Sequence, residues 1–134
     1  MSEKKTTSKA PFPPVRRAGD FLLASGTTSR KPDNTFAGAK VNDNTGKVEL
    51  DIEEQTRTVI KNIEKKLNAV DASLKDVVDL TIFLVDMDDF PGFNKVYKEF
   101  FDGETGPART TIAVHQLPHP HILVEIKAMA FKPL

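Results

Sequence analysis

The chain has 134 residues, 19 Lys and Arg matched by 19 Asp and Glu, 39% hydrophobic residues and no cysteine. That length fits one domain with one modest core. The neutral balance favours neither nucleic acid nor an anionic membrane, and the missing thiols exclude disulfides, a cysteine nucleophile and a cysteine-ligated metal. No run approaches the roughly 18 apolar residues of a membrane span. The polar, Lys-rich start lacks the apolar region of a secretory signal, so a cytoplasmic protein is the default expectation.

Residues 1–11 are Lys- and Pro-rich and are expected to be flexible, becoming extended near Phe12. Residues 15–18 and 21–27 read as a hairpin turning at Gly19-Asp20. The second of these, FLLASGT, shows no clean alternation, which predicts burial on both faces. Gly26 predicts a bulge or a close backbone approach. Residues 28–50 read as a long loop, and a loop of that length is functional or hides a short strand.

Residues 51–70 form the clearest helix. Asp51 followed by Glu54 predicts a capping box. Ile52, Thr56, Val59, Ile63, Leu67 and Val70 recur at helical spacing. Glu53, Arg57, Lys61, Glu64, Lys65 and Lys66 read as the solvated face. Residues 77–85 form a strand with Val78, Leu80, Ile82 and Leu84 on one face and Val77, Phe83 and Val85 on the other. A strand apolar on both sides needs cover on both sides, which predicts an oligomer. Asp88 or Asp89 starts a second helix with Pro91 in its first turn and Gly103 at its end. Phe93, Val96, Tyr97 and Phe100 line its inner face.

Two strands close the chain, at 108–114 and 122–131. In the second, Ile122, Val124, Ile126, Ala128 and Ala130 share one face, and Leu123, Glu125, Lys127, Met129 and Phe131 the other. In the first, Arg109 and Thr111 lie opposite Thr110 and Ile112. A charge among apolar neighbours is costly unless paired or used, which singles out Arg109 and Glu125. They could be an ordinary ion pair, or a solvated sheet face. The element order predicts an α+β domain, a single mixed sheet with two helices on one face.

The segments PAR-TT-IAV-HQLP and VEIKAMA resemble the signature of the Rid (YjgF-type) enamine/imine deaminases. The likeness continues upstream through Ser25-Gly26, Gln55, Asp89-Phe90, Asn94, Tyr97, Phe100 and Phe101. Within that family, residues 27–35 and VHQLPHPH are most similar to the 2-aminomuconate deaminases. The resemblance implies a chorismate-mutase-like subunit. It also implies a homotrimer whose sheets form a central barrel, with sites in the clefts between subunits, and no cofactor. It further implies that Arg109 binds the substrate carboxylate, which suits its planar fork. Glu125 would orient and deprotonate water, and Ser25 and Gly26 would contact the substrate. Phe12 stands where many members carry Tyr, keeping a ring wall without the hydroxyl. Thr111 stands where many carry a reactive Cys, leaving a neutral hydroxyl.

His115, His119 and His121 invite a metal reading, but Pro118 and Pro120 interrupt them and no ligand motif supports it. A surface turn, or a substrate contact by His121 at the cleft rim, fits better. Arg30 and Lys31 are by default solvated bases, but they follow the Ser25-Gly26 strand directly. The resemblance to the 2-aminomuconate deaminases implies a small dicarboxylate enamine or imine substrate, namely 2-aminomuconate, released as 4-oxalocrotonate and ammonia. The alternatives are a general 2-imino acid hydrolase and a non-catalytic ligand-binding or chaperone-like trimer. A neutral chain gives a ribonuclease role little support.

Overall fold

A computed structural model describes residues 10–134. All but the end of the flexible segment expected at 1–11 therefore lies outside the described residues. Strands β1 (Val15–Ala18) and β2 (Phe21–Thr27) form the expected hairpin. Its turn needs Gly19, whose φ is 59°, because a side chain is strained there.

One five-stranded mixed sheet organises the fold, in the order β1-β2-β7-β5-β6. Strand β7 (Val124–Phe131) is central and antiparallel to both β2 and β5 (Val77–Leu84). Strand β6 (Ala108–Ala113) runs parallel to β5 and forms a free edge. Helices α1 (Ile52–Asn68) and α2 (Phe90–Tyr97) pack on each other, and α1 also packs on β2 and β7. The core lies between helices and sheet. Leu22, Ala24, Leu80, Ile82, Leu84, Val124, Ile126, Ala128 and Ala130 meet Val59, Ile60, Ile63, Leu67 and Phe93 there. The mixed sheet with two helices is the expected α+β fold.

Several boundaries and faces differ from expectation. The long loop contains a separate hairpin, β3 (Ala39–Val41) with β4 (Val48–Leu50). FLLASGT is not buried on both faces: Leu22, Ala24 and Thr27 are buried while Phe21 and Gly26 are exposed. A bulge between Ala24 and Thr27 spoils the alternation, as Gly26 suggested. A second irregularity, between Val77 and Asp79, turns Val77 into the core and leaves Val78 42% exposed, reversing their expected faces.

Asp51 caps α1 by accepting from the Glu53 and Glu54 amides at 2.9 and 3.2 Å, a contact worth about 1 kcal/mol. The helix ends at Asn68, so Val70 falls outside its stripe and is exposed. Its charged face is only partly solvated. Arg57 pairs with Glu99 at 2.8 Å beyond α2, and Lys66 turns inward. Neither Asp88 nor Asp89 caps α2 by its side chain. Asp86 instead caps the 3₁₀ turn before it, accepting from the Asp88 amide. The helix stops at Tyr97, short of Gly103. Strand β7 begins at Val124 rather than Ile122, and β6 ends at Ala113. No helix among the described residues is long and apolar enough to cross a membrane.

Candidate active site

Arg109 and Glu125 do not pair. Arg109 lies opposite Leu80, and Glu125 opposite Phe83. Those β5 partners are three residues apart, so the pleat puts the two charges on opposite faces of the sheet. Strand β5 also separates their strands.

Arg109 is on the helix side. Its guanidinium carbon sits 4.7 Å from the Tyr97 ring centre, 5.4 Å from Phe93 and 5.6 Å from Phe90. The three rings recur one turn apart along α2, which brings them to one side of the helix. Stacking of this kind contributes about 0.5–2 kcal/mol and holds the fork without consuming its N–H donors. Among the described residues no carboxylate lies within ion-pair distance of Arg109. Burial pushes the Tyr97 phenol up, and Arg109 works against that shift. Thr111, two residues along the same face, has a buried hydroxyl with no hydrogen-bond partner. An unpaired buried hydroxyl is expensive and marks a place where a ligand atom could bond.

Glu125 is on the other face, against the β2 bulge. A Cβ on Gly26 would collide with the Glu125 carboxylate, so glycine is what lets the two meet. Ser25 Oγ donates to the Pro13 carbonyl at 2.7 Å, and the Ser25 amide donates to the Pro14 carbonyl. The expected substrate donor is thus engaged with the segment that carries Phe12, itself 55% exposed. Burial raises the Glu125 carboxyl above the usual glutamate range, and Lys66 partly opposes the shift. Burial likewise lowers the Lys66 ammonium, against the pull of Glu125.

The loop that carries Arg30 and the turn that carries His121, expected separately as a solvated stretch and a rim contact, form one stack. Arg30 lies 5.3 Å over the Phe36 ring, Phe36 lies 4.7 Å from His119, and His119 lies 4.7 Å from His121. Arg30 also donates to Asn34 Oδ1 at 3.3 Å. His119 Nδ1 accepts from the His121 amide at 3.0 Å, fixing the turn. Buried Gln55 ties that turn down. Its amide donates to the carbonyls of Gly38 and His121, and its oxygen accepts from the Leu123 amide at 2.8 Å. Lys31 and His115 are exposed and outside this stack. No group of three or more metal-ligating side chains exists among the described residues.

Residues 2–132 match the family model described as Endoribonuclease L-PSP. The chain belongs to the Rid/YjgF/RutC family. It is 37% identical over 133 residues to a RutC family protein of Pyrococcus abyssi, covering 98% of this chain and 94% of that one. Escherichia coli TdcF, by name a candidate reactive intermediate deaminase, is 34% identical over 90 residues, 66% of this chain and 69% of TdcF. Its structure with bound serine superposes with a TM-score of 0.75 at 27% identity, covering 96% of both chains. The structure of a candidate endoribonuclease from Thermotoga maritima superposes with a TM-score of 0.77, at 34% identity over the full length of both chains.

Against this Rid background, the aromatic seat of Arg109 and the inward Lys66 were not among the expected site residues. Phe90, Phe93 and Tyr97 had a sequence signal, their recurrence on one helix side, but it read equally as core. Lys66 had none, since it stands in a run of charges.

Proposed function

We propose that this Rid-family chain hydrolyses reactive 2-imino and enamine acids to 2-oxo acids and ammonia, with 2-aminomuconate as its substrate. The observation that carries the reading is Arg109. Its guanidinium is held within about 6 Å of three ring centres and is free of any carboxylate among the described residues, beside the unpartnered Thr111 hydroxyl. That combination is a seat for a substrate carboxylate.

The chemistry asks little more. The enamine tautomerises to the imine. Water, giving a proton to Glu125, adds to the imine carbon, and the nitrogen takes up a proton from solvent to give a carbinolamine. The C–N bond then breaks. The nitrogen leaves as ammonia with the proton Glu125 returns, and the hydroxyl gives its own proton to solvent as it becomes the ketone. A carboxyl raised by burial is suited to taking and returning a proton. An imine is already electrophilic, so the scheme calls for no cofactor. The name of TdcF supports hydrolysis of reactive intermediates, and the serine in its structure supports a ligand with an amino acid carboxylate. The neutral net charge gives an RNA substrate little support.

Because Arg109 and Glu125 face apart, the scheme needs two copies of the chain, with Arg109 from one meeting Glu125 of another. The sheet face without helices suits self-association. Phe21, Ile112 and Phe131 are about 40% exposed there, with Leu23, Phe83 and Met129 half-buried beside them. A trimer, or a multiple of it, is the assembly proposed. Sedimentation showing a stable, active monomer would contradict it.

2-Aminomuconate has a second carboxylate, and a buried one needs a cation. The Arg30–Phe36–His119–His121 stack is the proposed partner. Ammonia release from 2-aminomuconate, compared with release from 2-iminopropionate, tests the substrate. A large preference for the small imine would leave only the general imine hydrolase. Arg30→Ala should raise KM for the dicarboxylate alone by about tenfold, roughly 1.4 kcal/mol.

A further inference from the structure

Lys66 lies in the last turn of α1, where a lysine ordinarily points to water and complements the helix dipole. Its neighbour Lys65 is exposed and serves that purpose. Lys66 is half-buried, and its ammonium donates to Thr27 Oγ1 at 2.8 Å. Thr27 is 3% exposed, and its hydroxyl passes the contact on by donating to the Ser25 carbonyl at 2.9 Å. Ser25 and Gly26 are the residues of the bulge, and Gly26 is where the Glu125 carboxylate rests. A chain of two hydrogen bonds therefore runs from the helix through the buried threonine to the backbone that shapes the seat of Glu125.

Other charges surround the bulge. Lys127 is two residues along β7 on the face of Glu125, Arg30 is on the loop leaving β2, and Asp79 is farther along that face on β5. Phe83, directly opposite Glu125, is uncharged. Of these groups Lys66 is the one whose charge acts on Glu125. No direct ion pair joins the two. Burying an ammonium has a desolvation cost that a methionine of similar length would avoid. Its presence under the bulge calls for a role other than packing.

We propose that Lys66 is a positioning residue for Glu125: anchored on Thr27, it fixes the Ser25-Gly26 bulge and supplies a positive charge behind the carboxylate that activates water, from the helix side of the sheet. The proposal rests on the reading of Glu125 given above. Lys66 touches no substrate in this account. It acts through the bulge and through its field, which favours the ionised, proton-accepting form of Glu125.

The test uses the full-length protein with Lys66→Met, Lys66→Arg and Thr27→Val, assayed on 2-iminopropionate across pH. Lys66→Met should lower kcat on the order of tenfold with KM little changed. It should also move the acid limb of kcat/KM to higher pH, because Glu125 then ionises less readily. Lys66→Arg should restore the limb. Thr27→Val should lower kcat with a smaller movement of the limb. In parallel, carbon NMR of the Glu125 carboxyl should show it titrating at higher pH in Lys66→Met than in the parent. An unmoved carboxyl titration overturns the proposal whatever the activity. A moved titration in a protein whose Glu125→Gln variant keeps full turnover would instead remove Glu125 from the chemistry, and only the electrostatic half of the proposal would stand.

Discussion

Arg109 and Glu125 are held by opposite means. Arg109 sits on the edge strand β6 under α2, surrounded by three rings that accept no hydrogen bond from it in conventional geometry and so leave its donors unpaired among the described residues. Glu125 sits on the central strand, on the far face, in a notch made by a missing side chain at Gly26 and biased by a lysine from behind. Stacking fixes a charge without satisfying it, which suits a group meant to bind an anion. Burial with a distant counter-charge tunes a carboxylate without locking it, which suits a group meant to exchange a proton.

The largest effect that would break this contrast is at Arg109. Arg109→Ala should abolish turnover through a loss of about 2–5 kcal/mol in substrate binding. Thermal unfolding should show a smaller cost of about 0.5–2 kcal/mol from the lost ring contacts. Arg109→Lys should also be poor, since the planar fork is gone. Near-normal kinetics in either variant would make the ring seat purely structural.

Mixing comes next. If Arg109 of one copy serves Glu125 of another, the inactive Arg109→Ala and Glu125→Gln proteins should complement after joint refolding. Random assembly around a closed ring leaves roughly a quarter of the sites intact. A mixture as inactive as its components would place both residues in one chain's site, or outside catalysis.

Gly26→Ala sharpens the Glu125 half. The added methyl meets a flexible side-chain end, so Glu125 should swing aside rather than the strand unfold. Turnover should fall by on the order of a hundredfold, as for a misplaced reacting group, with the melting temperature little changed.

The smallest effect is on stability. The folded Glu125 carboxyl titrates above its unfolded value because burial disfavours the charge. Ionised Glu125 therefore destabilises the fold above its folded pKa, and that cost fades as pH falls through it toward the unfolded value. Glu125→Gln should be as stable as the parent or slightly more stable at neutral pH, with the gap closing in acid. A denaturant series at several pH values measures it. A variant less stable at every pH would assign Glu125 to structure.

The sequence was most legible where periodicity is local. The β7 face of Val124, Ile126, Ala128 and Ala130 could be read directly, and Gly26 announced its bulge. Strict alternation puts Val77 and Val78 on the wrong faces, because their irregularity arises from pairing with Ala130 and Met129 on β7, far along the chain. Lys66 was unreadable as a site residue, since its direction depends on where Thr27, 39 residues earlier, lands beneath it. Arg109 could be picked out as a charge among apolar neighbours, but its partners are rings on another element rather than the carboxylate that pattern alone offered.

Gln55 has a consequence for the dynamics of the histidine turn. The Leu123 amide precedes β7, in a stretch where amides usually exchange by local fraying. Here its acceptor is a fully buried side chain of α1, which also holds His121 and Gly38. The turn cannot open alone without leaving that side chain unsatisfied in the core. Amide exchange at Leu123 should therefore be slow and follow the opening of α1, so that loop, turn and helix behave as one cooperative unit.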